Sequence, residues 1–545
     1  MAKTHLDPDD ADLEACLRVL AALPAHDSAE AADPRWQRVW QAVERAHREV
    51  KKARKTARRA ERRAADRAAI ATTTRFRDQN PAPLPVPDAS TTAALAPAAP
   101  EETAGETAGE TAADPPVAQD EGAPGGTAAA AEPEPPARTL GRARRCYVCQ
   151  ARYRDLHPEY HMLCPECAEE NLARRYARCD LRGRRAIVTG GRVKIGFQVA
   201  LKLLRDGAEV LVTTRFPRDA ARRFAAVPDA PDWIDRLQVH GVDLLDLPGV
   251  AGLLRTAHER FDHLDILINN AAQTIRRPAA YHREVLAAET GPLTGLAARV
   301  RVSGGVAGAV AASAAREPAR VGGGAEPTAE QAAEQEPAQA RTPLPQALPA
   351  VLPSLPSLAG SDSAALEALF PAGRTDETGE PLDLRDRNSW TLRLHEVDPG
   401  EWLEVQLVNA FAPFLLTSRL RGLLESSPWP DRYVVQVSAM EGSFSRKGKT
   451  DRHPHTNMAK ASLNMMTRTS AADYAASGIY MNSVDTGWVT DERPHPSKVS
   501  QRAAGFRPPL DVIDGAARVY DPVVRGVGGE RLYGLFLKDY RPVEW

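Results

Sequence analysis

Four cysteines have the spacing that most directly predicts chemistry in this chain. Cys146 and Cys149 form one C-x2-C pair, Cys164 and Cys167 form a second, and fourteen residues separate the pairs. Two such pairs can present four thiolates tetrahedrally, as a structural Zn²⁺ ion requires. A segment this short cannot bury enough apolar surface to fold without a metal or a cross-link. A reduced loop and disulfides are the alternatives, and the cytoplasmic location that we expect disfavours disulfides.

The segment around these cysteines, residues 139–179, resembles a zinc ribbon or zinc knuckle. His157 and His161 lie between the two pairs and are alternative ligands, although four cysteines suffice. Cys16 and Cys179 have no partner pattern, so we expect plain thiols. We also expect this segment to share little core with the rest of the chain, so that it could unfold alone.

A second set of reactive side chains lies in the sequence H-P-H-T-N-M-A-K. Thr456 and Lys460 are four residues apart, the spacing that puts two side chains on one helix face. His453 and His455 precede them, and imidazole can transfer protons near neutral pH. The alternative for both histidines is an exposed position on a loop bounded by Pro454.

Residues 184–205 predict the element that would hold a nucleotide. A short apolar run ending at Thr189 enters a glycine-containing turn and leaves as an amphipathic helix with Val199, Leu203 and Leu204 on one face. Such a strand, turn and helix places the helix N-terminus against a pyrophosphate, because its free N–H groups and dipole attract phosphate oxygens.

This turn resembles the T-G-x-x-x-G-I-G turn of the short-chain dehydrogenase/reductase family. Thr189, Gly190, Ile195 and Gly196 are in register, whereas Lys194 replaces the middle glycine. Glycine at that position lets the backbone approach the phosphates closely, so the lysine is a departure from the family pattern.

Later segments follow the family's order and imply further cofactor-binding residues. Arg215 follows the second strand, where an acidic residue would bind the ribose of NAD and an arginine would favour the 2'-phosphate of NADP. Together with Arg192 and Lys194 it predicts NADP, with NAD the less favoured cofactor. The resemblance also assigns cofactor contacts to residues in three later motifs: Asp243, Asn270, Ala271, Gly487 and Thr490.

The resemblance implies that Asn409, Ser438 and Lys460 are three of four catalytic residues. In the family a tyrosine donates a proton to the carbonyl oxygen, and the lysine binds the nicotinamide ribose and lowers the tyrosine pKa from ~10. Thr456 stands in the place of that tyrosine, and its hydroxyl is a weaker acid on a shorter side chain. Three hypotheses remain: His455 or His453 supplies the proton, the substrate carries its own acid or needs none, or the site binds a dinucleotide without turnover.

The predicted fold class is α/β, a Rossmann-type doubly wound parallel sheet over residues 180–545 with a low-complexity insertion at about 283–385. A basic helical segment (1–77), a disordered linker (78–138) and a small zinc-binding module (139–179) precede it. The residues that return from the insertion include Arg387, Asn388 and Trp390, which we expect near the substrate entrance or in a packing hairpin. The stretch 492–529 occupies the usual position of the substrate lid.

The leading function is an NADP(H)-dependent oxidoreductase with a non-standard proton donor, acting on an unidentified carbonyl or alcohol. The alternative is a catalytically silent dinucleotide-binding sensor or scaffold. Because the net charge is only -2, the overall charge does not by itself imply a polyelectrolyte partner. The basic run from Lys51 to Arg63 indicates a solvated helix face, with nucleic-acid or protein contact as the alternative. Homo-oligomerisation through the dinucleotide domain is a further hypothesis.

No apolar run approaches the ~20 residues that span a bilayer, and no signal-peptide pattern opens the chain, which together predict no membrane contact.

Overall fold

The computed structural model describes residues 9–22, 34–77, 139–305 and 367–545. The predicted linker and residues 306–366 of the predicted insertion lie outside the described residues. Within these ranges, three helices, an antiparallel hairpin and a fourth helix come before the large sheet. Their bounds are α1 Asp10–Ala22, α2 Pro34–Ala71, α3 Thr74–Arg77, β1 Thr139–Arg145, β2 Arg152–Asp155 and α4 Pro165–Tyr176.

Nine strands of the described residues form the large sheet, in the order β11-β10-β9-β8-β6-β3-β4-β5-β7. All neighbouring strands are parallel except β10 and β11. Their bounds are β3 Arg185–Thr189, β4 Glu209–Thr214, β5 Leu237–Gly241, β6 Ile266–Asn269, β7 Arg301–Gly304, β8 Arg432–Ser438, β9 Ile479–Asp485, β10 Phe536–Lys538 and β11 Arg541–Val543. The central strands are buried along their lengths, which explains their nearly continuous apolar sequences.

Helices cover both faces of this sheet. The remaining helices are α5 Lys194–Arg205, α6 Pro217–Ala225, α7 Leu247–Arg260, α8 Arg283–Glu289, α9 Pro399–Gln406, α10 Ala412–Arg419, α11 Arg421–Glu425, α12 Pro454–Ala476, α13 His495–Ala503 and α14 Val512–Val527. Helices α5, α6 and α14 contribute to the core on one face, and α7, α10, α11 and α12 to the core on the other. The predicted doubly wound α/β fold is confirmed. No helix in the described ranges is both long and apolar enough to cross a membrane.

The first residues of the predicted insertion join the sheet. Strand β7 pairs in parallel with β5, where Gln238 lies opposite Arg301 and Gly241 opposite Gly304. Composition did not predict this strand, because its sequence R-V-S-G is short and only partly buried. Its formation depends on the free edge that β5 offers.

Candidate active site and metal centre

Ser438 and Lys460 meet where strand β8 ends against helix α12. The Lys460 ammonium donates a hydrogen bond to the Val437 carbonyl oxygen (2.6 Å), and the Ser438 hydroxyl donates to the Lys460 carbonyl oxygen (3.3 Å). Burial lowers the pKa of Lys460 to about 8, because desolvation disfavours its charge. This lysine can therefore hold or release a proton near neutral pH.

Thr456 lies one turn before Lys460 on the same helix. Its side chain is buried, and its hydroxyl oxygen has no hydrogen-bond partner among the described residues. An unsatisfied buried hydroxyl costs about 1 to 3 kcal/mol, so such groups are rare outside functional sites. The hydroxyl thus has hydrogen-bonding capacity that no described residue uses.

Asn409 lies in a π-helical turn, Leu407–Phe411, between helices α9 and α10. Its side-chain amide donates to the Gln273 carbonyl oxygen (3.0 Å), and its carbonyl oxygen accepts from the Gln273 N–H (2.6 Å). Single π turns in helices often mark functional sites. The turn holds the loop after β6 against the helix that carries Asn409.

Both histidines are buried, so the alternative of an exposed loop is wrong. Pro454 begins helix α12 instead of bounding a loop, because proline fits the first helical position. His455 is 1 % exposed and its Nε2 lies 3.6 Å from Glu401 Oε1 on α9. His453 has a left-handed backbone (φ 41°), donates from Nδ1 to Asn457 Oδ1 (2.9 Å) and stacks on Trp390 with the ring centres 3.8 Å apart.

The glycines of the nucleotide turn are required by close packing. Gly190 has φ 67°, and a Cβ on it would lie 2.9 Å from the Ala271 Cα. A Cβ on Gly196 would lie 2.3 Å from the Gly190 carbonyl oxygen. The Asn270 amide donates to the carbonyl oxygens of Thr189 (3.0 Å) and Gly190 (3.1 Å), which ties the end of β6 to the turn.

Lys194 adopts a backbone conformation that favours glycine, with φ 54°. Its ammonium lies 3.2 Å from Glu492 Oε1, and the Thr490 hydroxyl donates to the same oxygen (2.8 Å). Burial opposes the ionisation of Glu492, but Lys194 and Lys498 outweigh it and lower the Glu492 pKa to about 2. Glu492, in the predicted lid, is therefore paired with Lys194, the first residue of α5. The sequence did not predict this contact.

The three cations predicted to select NADP differ in their partners. Arg192 is buried and pairs with Asp219 (2.7 Å) and with Glu380. Arg215 is exposed, lies over the Phe216 ring with the guanidinium carbon 5.4 Å from its centre, and forms no ion pair with any described residue. Of these three cations, Arg215 is thus the one that can meet an incoming phosphate without losing a carboxylate.

Other predicted cofactor residues take structural positions near the turn. Asp243 Oδ1 accepts from the Leu245 N–H (3.0 Å). Ile195 packs against Gly515. A Cβ added to Gly515 would lie 3.2 Å from the Ile195 side chain. Gly487 has φ 76°, and its N–H donates to Asp485 Oδ1 (2.9 Å).

The segment that returns from the insertion contacts helix α12 and residues 492–529, the predicted lid. Trp390 covers His453, and the Asn388 amide donates to the Glu492 carbonyl oxygen (2.9 Å). Arg387 pairs with Glu396 (2.6 Å). Two of the three residues expected near the substrate entrance therefore join the lid to the N-terminal end of α12.

The four predicted metal ligands form one cluster. Their sulfur atoms all lie within 4.8 Å of one another, and those of Cys149 and Cys164 are 3.6 Å apart. Sulfurs at about 2.3 Å from a tetrahedral Zn²⁺ ion would lie about 3.8 Å apart, so the arrangement fits this ion. The alternative ligands make other contacts, His157 with Glu169 (3.0 Å) and His161 with the Arg507 carbonyl oxygen (3.4 Å).

The metal module (residues 139–179) shares a buried polar interface with helix α14. Arg175 bonds to Asp511 and Asp514, both at 2.7 Å, and the Tyr160 hydroxyl donates to Asp514 (2.8 Å). Leu510 belongs to the same apolar cluster as the cysteines. The expectation that this segment shares little core with the rest is wrong, because sequence patterns do not show which buried charges pair across a long separation.

Tyr147, between the first two cysteines, reaches the loop that follows β9. Its hydroxyl oxygen accepts a hydrogen bond from the Trp488 N–H (2.9 Å), one residue after Gly487. Burial, and then Asp485 and Asp539, raise the pKa of Tyr147. The sequence marked the flanking cysteines but gave no signal for this contact.

Two family models match the chain. The model for short chain dehydrogenase matches residues 184–289, and the model for Enoyl-(Acyl carrier protein) reductase matches residues 387–504. Together they cover the nucleotide turn and the catalytic helix.

Several known proteins are similar to parts of the chain. The uncharacterized protein R665 of Acanthamoeba polyphaga mimivirus is 28% identical over 392 residues, which are 70% of this chain and 71% of that protein. Carbonyl reductase [NADPH] 1 of Sus scrofa is 34% identical over 99 residues, 18% of this chain and 34% of the enzyme. The chain thus spans about a third of that enzyme. The solved NADPH-bound carbonyl reductase from chicken fatty liver shares 16% identity with a TM-score of 0.38, covering 67% of this chain and 100% of that one.

Proposed function

Because the chain belongs to the short-chain dehydrogenase/reductase family, we propose that it is an NADP(H)-dependent oxidoreductase that interconverts a carbonyl and an alcohol with a proton donor other than tyrosine. The observation that carries the proposal is the arrangement of Ser438 and Lys460, with the unsatisfied hydroxyl of Thr456 on the same helix. A site that had lost all chemistry would have no need to keep such a hydroxyl buried.

The residues at the carboxyl ends of the strands fit a dinucleotide. Helix α5 begins at Lys194 with no side-chain cap, so its first N–H groups are free to bind a pyrophosphate. In this proposal Arg215 meets a 2'-phosphate, and Lys460 holds the hydroxyls of the nicotinamide ribose. When bound, the cofactor supplies or accepts the hydride.

In this proposal Lys460 supplies the proton that the carbonyl oxygen takes up, and a short relay carries it there. The Lys460 ammonium, with a pKa of about 8, stores a proton one helical turn from Thr456. No hydrogen bond joins the two side chains, so bound water would pass the proton from Lys460 to Thr456. Threonine is shorter than tyrosine by a ring, so a water or a substrate hydroxyl bound to Thr456 and Ser438 completes the path to the carbonyl oxygen. The other donor considered, His455, takes second place in this proposal because its ring faces Glu401.

The proposal also includes a structural Zn²⁺ ion held by the four cysteines of the metal module. Four thiolates leave no open position for a substrate, so the ion would stabilise the fold and not act on a reactant. Through Tyr147 it would also support the loop after β9.

The test is to measure hydride transfer with the purified, zinc-loaded protein. NADPH oxidation is followed with a panel of aldehydes and ketones, and NADP⁺ reduction with alcohols. Lys460→Ala should abolish turnover, whereas Lys447→Ala, at an exposed lysine, serves as the matched control. If NADPH binds but no substrate is turned over by wild type or by Thr456→Tyr, the oxidoreductase proposal fails.

A silent nucleotide sensor is the second candidate, and a specific observation favours it. Carboxylates of the lid and of the insertion, Glu492 and Glu380, already pair with Lys194 and Arg192 at the nucleotide turn. A nucleotide would have to displace or accommodate them, and that would couple binding to movement of the lid. In this case NADP(H) would change the protease sensitivity of the lid with no turnover of any substrate.

A further inference from the structure

Two basic segments outside the dehydrogenase domain meet in the structure. Helix α2 lies against the hairpin β1–β2 of the metal module, where the Gly141 N–H donates to Asp66 Oδ1 (2.6 Å). Ala69 of the helix is buried in the same apolar cluster as Leu140 of the hairpin. The helix is therefore fixed on the hairpin at its C-terminal end, and its preceding turns are exposed.

The helix carries a concentrated positive charge. Between residues 45 and 67 it has eleven basic and three acidic residues, whereas the whole chain has a net charge of -2. Many of the basic residues recur every three or four positions and so share the face that holds Asp66. This face is exposed at Arg48, Lys51, Lys52, Lys55, Arg59 and Arg62.

The hairpin to which the helix is fixed adds further arginines. Arg142 and Arg145 on β1 and Arg152 and Arg154 on β2 are all exposed. Within the described ranges these four form no ion pair, and of the helix face only Arg48 does, with Glu44 at 3.8 Å. The charge of the combined surface is thus largely unneutralised by the chain itself.

From this surface, formed by the exposed face of α2 and the arginines of β1–β2, we propose that the protein binds duplex DNA. Clustered lysines and arginines bind nucleic acids by neutralising phosphates and releasing counterions. The major groove of B-form DNA admits an α-helix or a two-stranded ribbon, and this surface offers both.

Single strands and RNA fit this surface less well. Their recognition depends on aromatic side chains that stack on bases, and residues 45–67 contain no Phe, Trp or Tyr. In the hairpin, Tyr153 is buried and the Tyr147 hydroxyl is bonded to Trp488. The major groove of A-form RNA is too narrow for a helix.

The experiment is fluorescence anisotropy with the full-length, zinc-loaded protein and a 30-base-pair DNA duplex, at about 50 to 200 mM salt. The same measurement is made with an RNA duplex, single-stranded DNA and poly-glutamate. Wild type should prefer the DNA duplex, and with about six phosphate contacts its affinity should fall about a thousandfold over this salt range.

Two charge-reversal variants separate the parts of the surface. Lys51→Glu with Lys55→Glu, and Arg152→Glu with Arg154→Glu, should each weaken DNA binding at least tenfold and reduce its salt dependence. The matched control, Lys447→Glu with Arg468→Glu on the dehydrogenase domain, should bind like wild type, and circular dichroism checks that all variants fold. The proposal is overturned if duplex DNA does not bind at 100 mM salt, if RNA or poly-glutamate binds at least as tightly, or if the control loses as much affinity as the two variants.

Discussion

The interface between the metal module and α14 differs from the candidate catalytic site in how its buried polar atoms are satisfied. At the interface, Asp514 accepts hydrogen bonds from Tyr160, Asn171 and Arg175. Among the described residues of the metal module and its partners, the Nε atoms of Arg75 and Arg175 and the Nδ1 atom of His161 lack a partner. On helix α12, the Thr456 hydroxyl, both ring nitrogens of His455 and both amide atoms of Asn464 lack one.

This difference separates a polar cluster that stabilises the fold from a site whose polar groups could bind a ligand. A buried charge is tolerated when every carboxylate has donors, and such a network fixes one arrangement of the two parts. Unsatisfied hydroxyl and imidazole groups have a free-energy cost, which a bound molecule can compensate. The predictions below test each side of this comparison.

Removal of the metal should give the largest effect. Because the module and α14 share buried groups, chelation or Cys164→Ser should lower the melting temperature of the whole protein, not only unfold residues 139–179. Structural Zn²⁺ contributes about 10 kcal/mol in small zinc modules. Calorimetry tests this, with Cys16→Ser as the exposed control; an unchanged transition of the dehydrogenase domain would contradict it.

Asp514→Asn should break the satisfied network. Removing this charge leaves Arg175 facing Asp511 alone in a buried site, and breaking a buried pair costs about 3 to 5 kcal/mol. Urea unfolding measures the loss. Asp235→Asn, at an exposed carboxylate paired with Arg299, should change the unfolding free energy little. Similar losses in the two variants would remove the distinction between the regions.

Lys460→Ala should lower kcat/KM for carbonyl reduction at least a hundredfold, the usual range for a positioned acid or base. In wild type, kcat/KM for reduction should fall as pH rises through about 8. The Lys460 pKa is depressed to that value, and above it the ammonium that supplies the proton is lost. A flat profile between pH 6 and 9 at constant ionic strength would argue against Lys460 as the proton store.

Arg215→Ala should reduce the preference for NADP(H) over NAD(H) about ten- to a hundredfold, since a charge-assisted hydrogen bond to a phosphate is lost. Arg192→Ala should change this preference less, because Arg192 is already paired with Asp219 and Glu380. Titration calorimetry with both nucleotides gives the ratio. Equal loss in the two variants would show that Arg192 leaves its carboxylates when the nucleotide binds.

Thr456→Val should have the smallest effect on stability. It tests the comparison between satisfied and unsatisfied buried groups most directly. The change removes an unsatisfied hydroxyl, so the free energy of unfolding should stay within about 1 kcal/mol or rise. Thr417→Val is the matched control, because the Thr417 hydroxyl oxygen accepts from Asn269 and Gln436, both at 3.1 Å, and its loss should destabilise by about 1 to 3 kcal/mol. Turnover should fall in Thr456→Val and persist in Thr417→Val.

The order of motifs along the chain determined the fold and the main elements of the site. The nucleotide turn, the end of β8 and the helix with Lys460 each have a local pattern, and parallel strands bring their carboxyl ends to one edge of the sheet. The two C-x2-C pairs likewise predicted the cysteine cluster, because ligand spacing is a local property.

Only the tertiary structure decided which of these residues are free to act. Lys194 and Glu492 are 298 positions apart, and Arg175 and Asp514 are 339 apart. No periodicity or spacing encodes such pairs, since they depend on how loops and helices pack after the sheet has formed. The same packing buried His455 against Glu401, joined β7 to the sheet and placed the basic helix beside the arginines of the metal module.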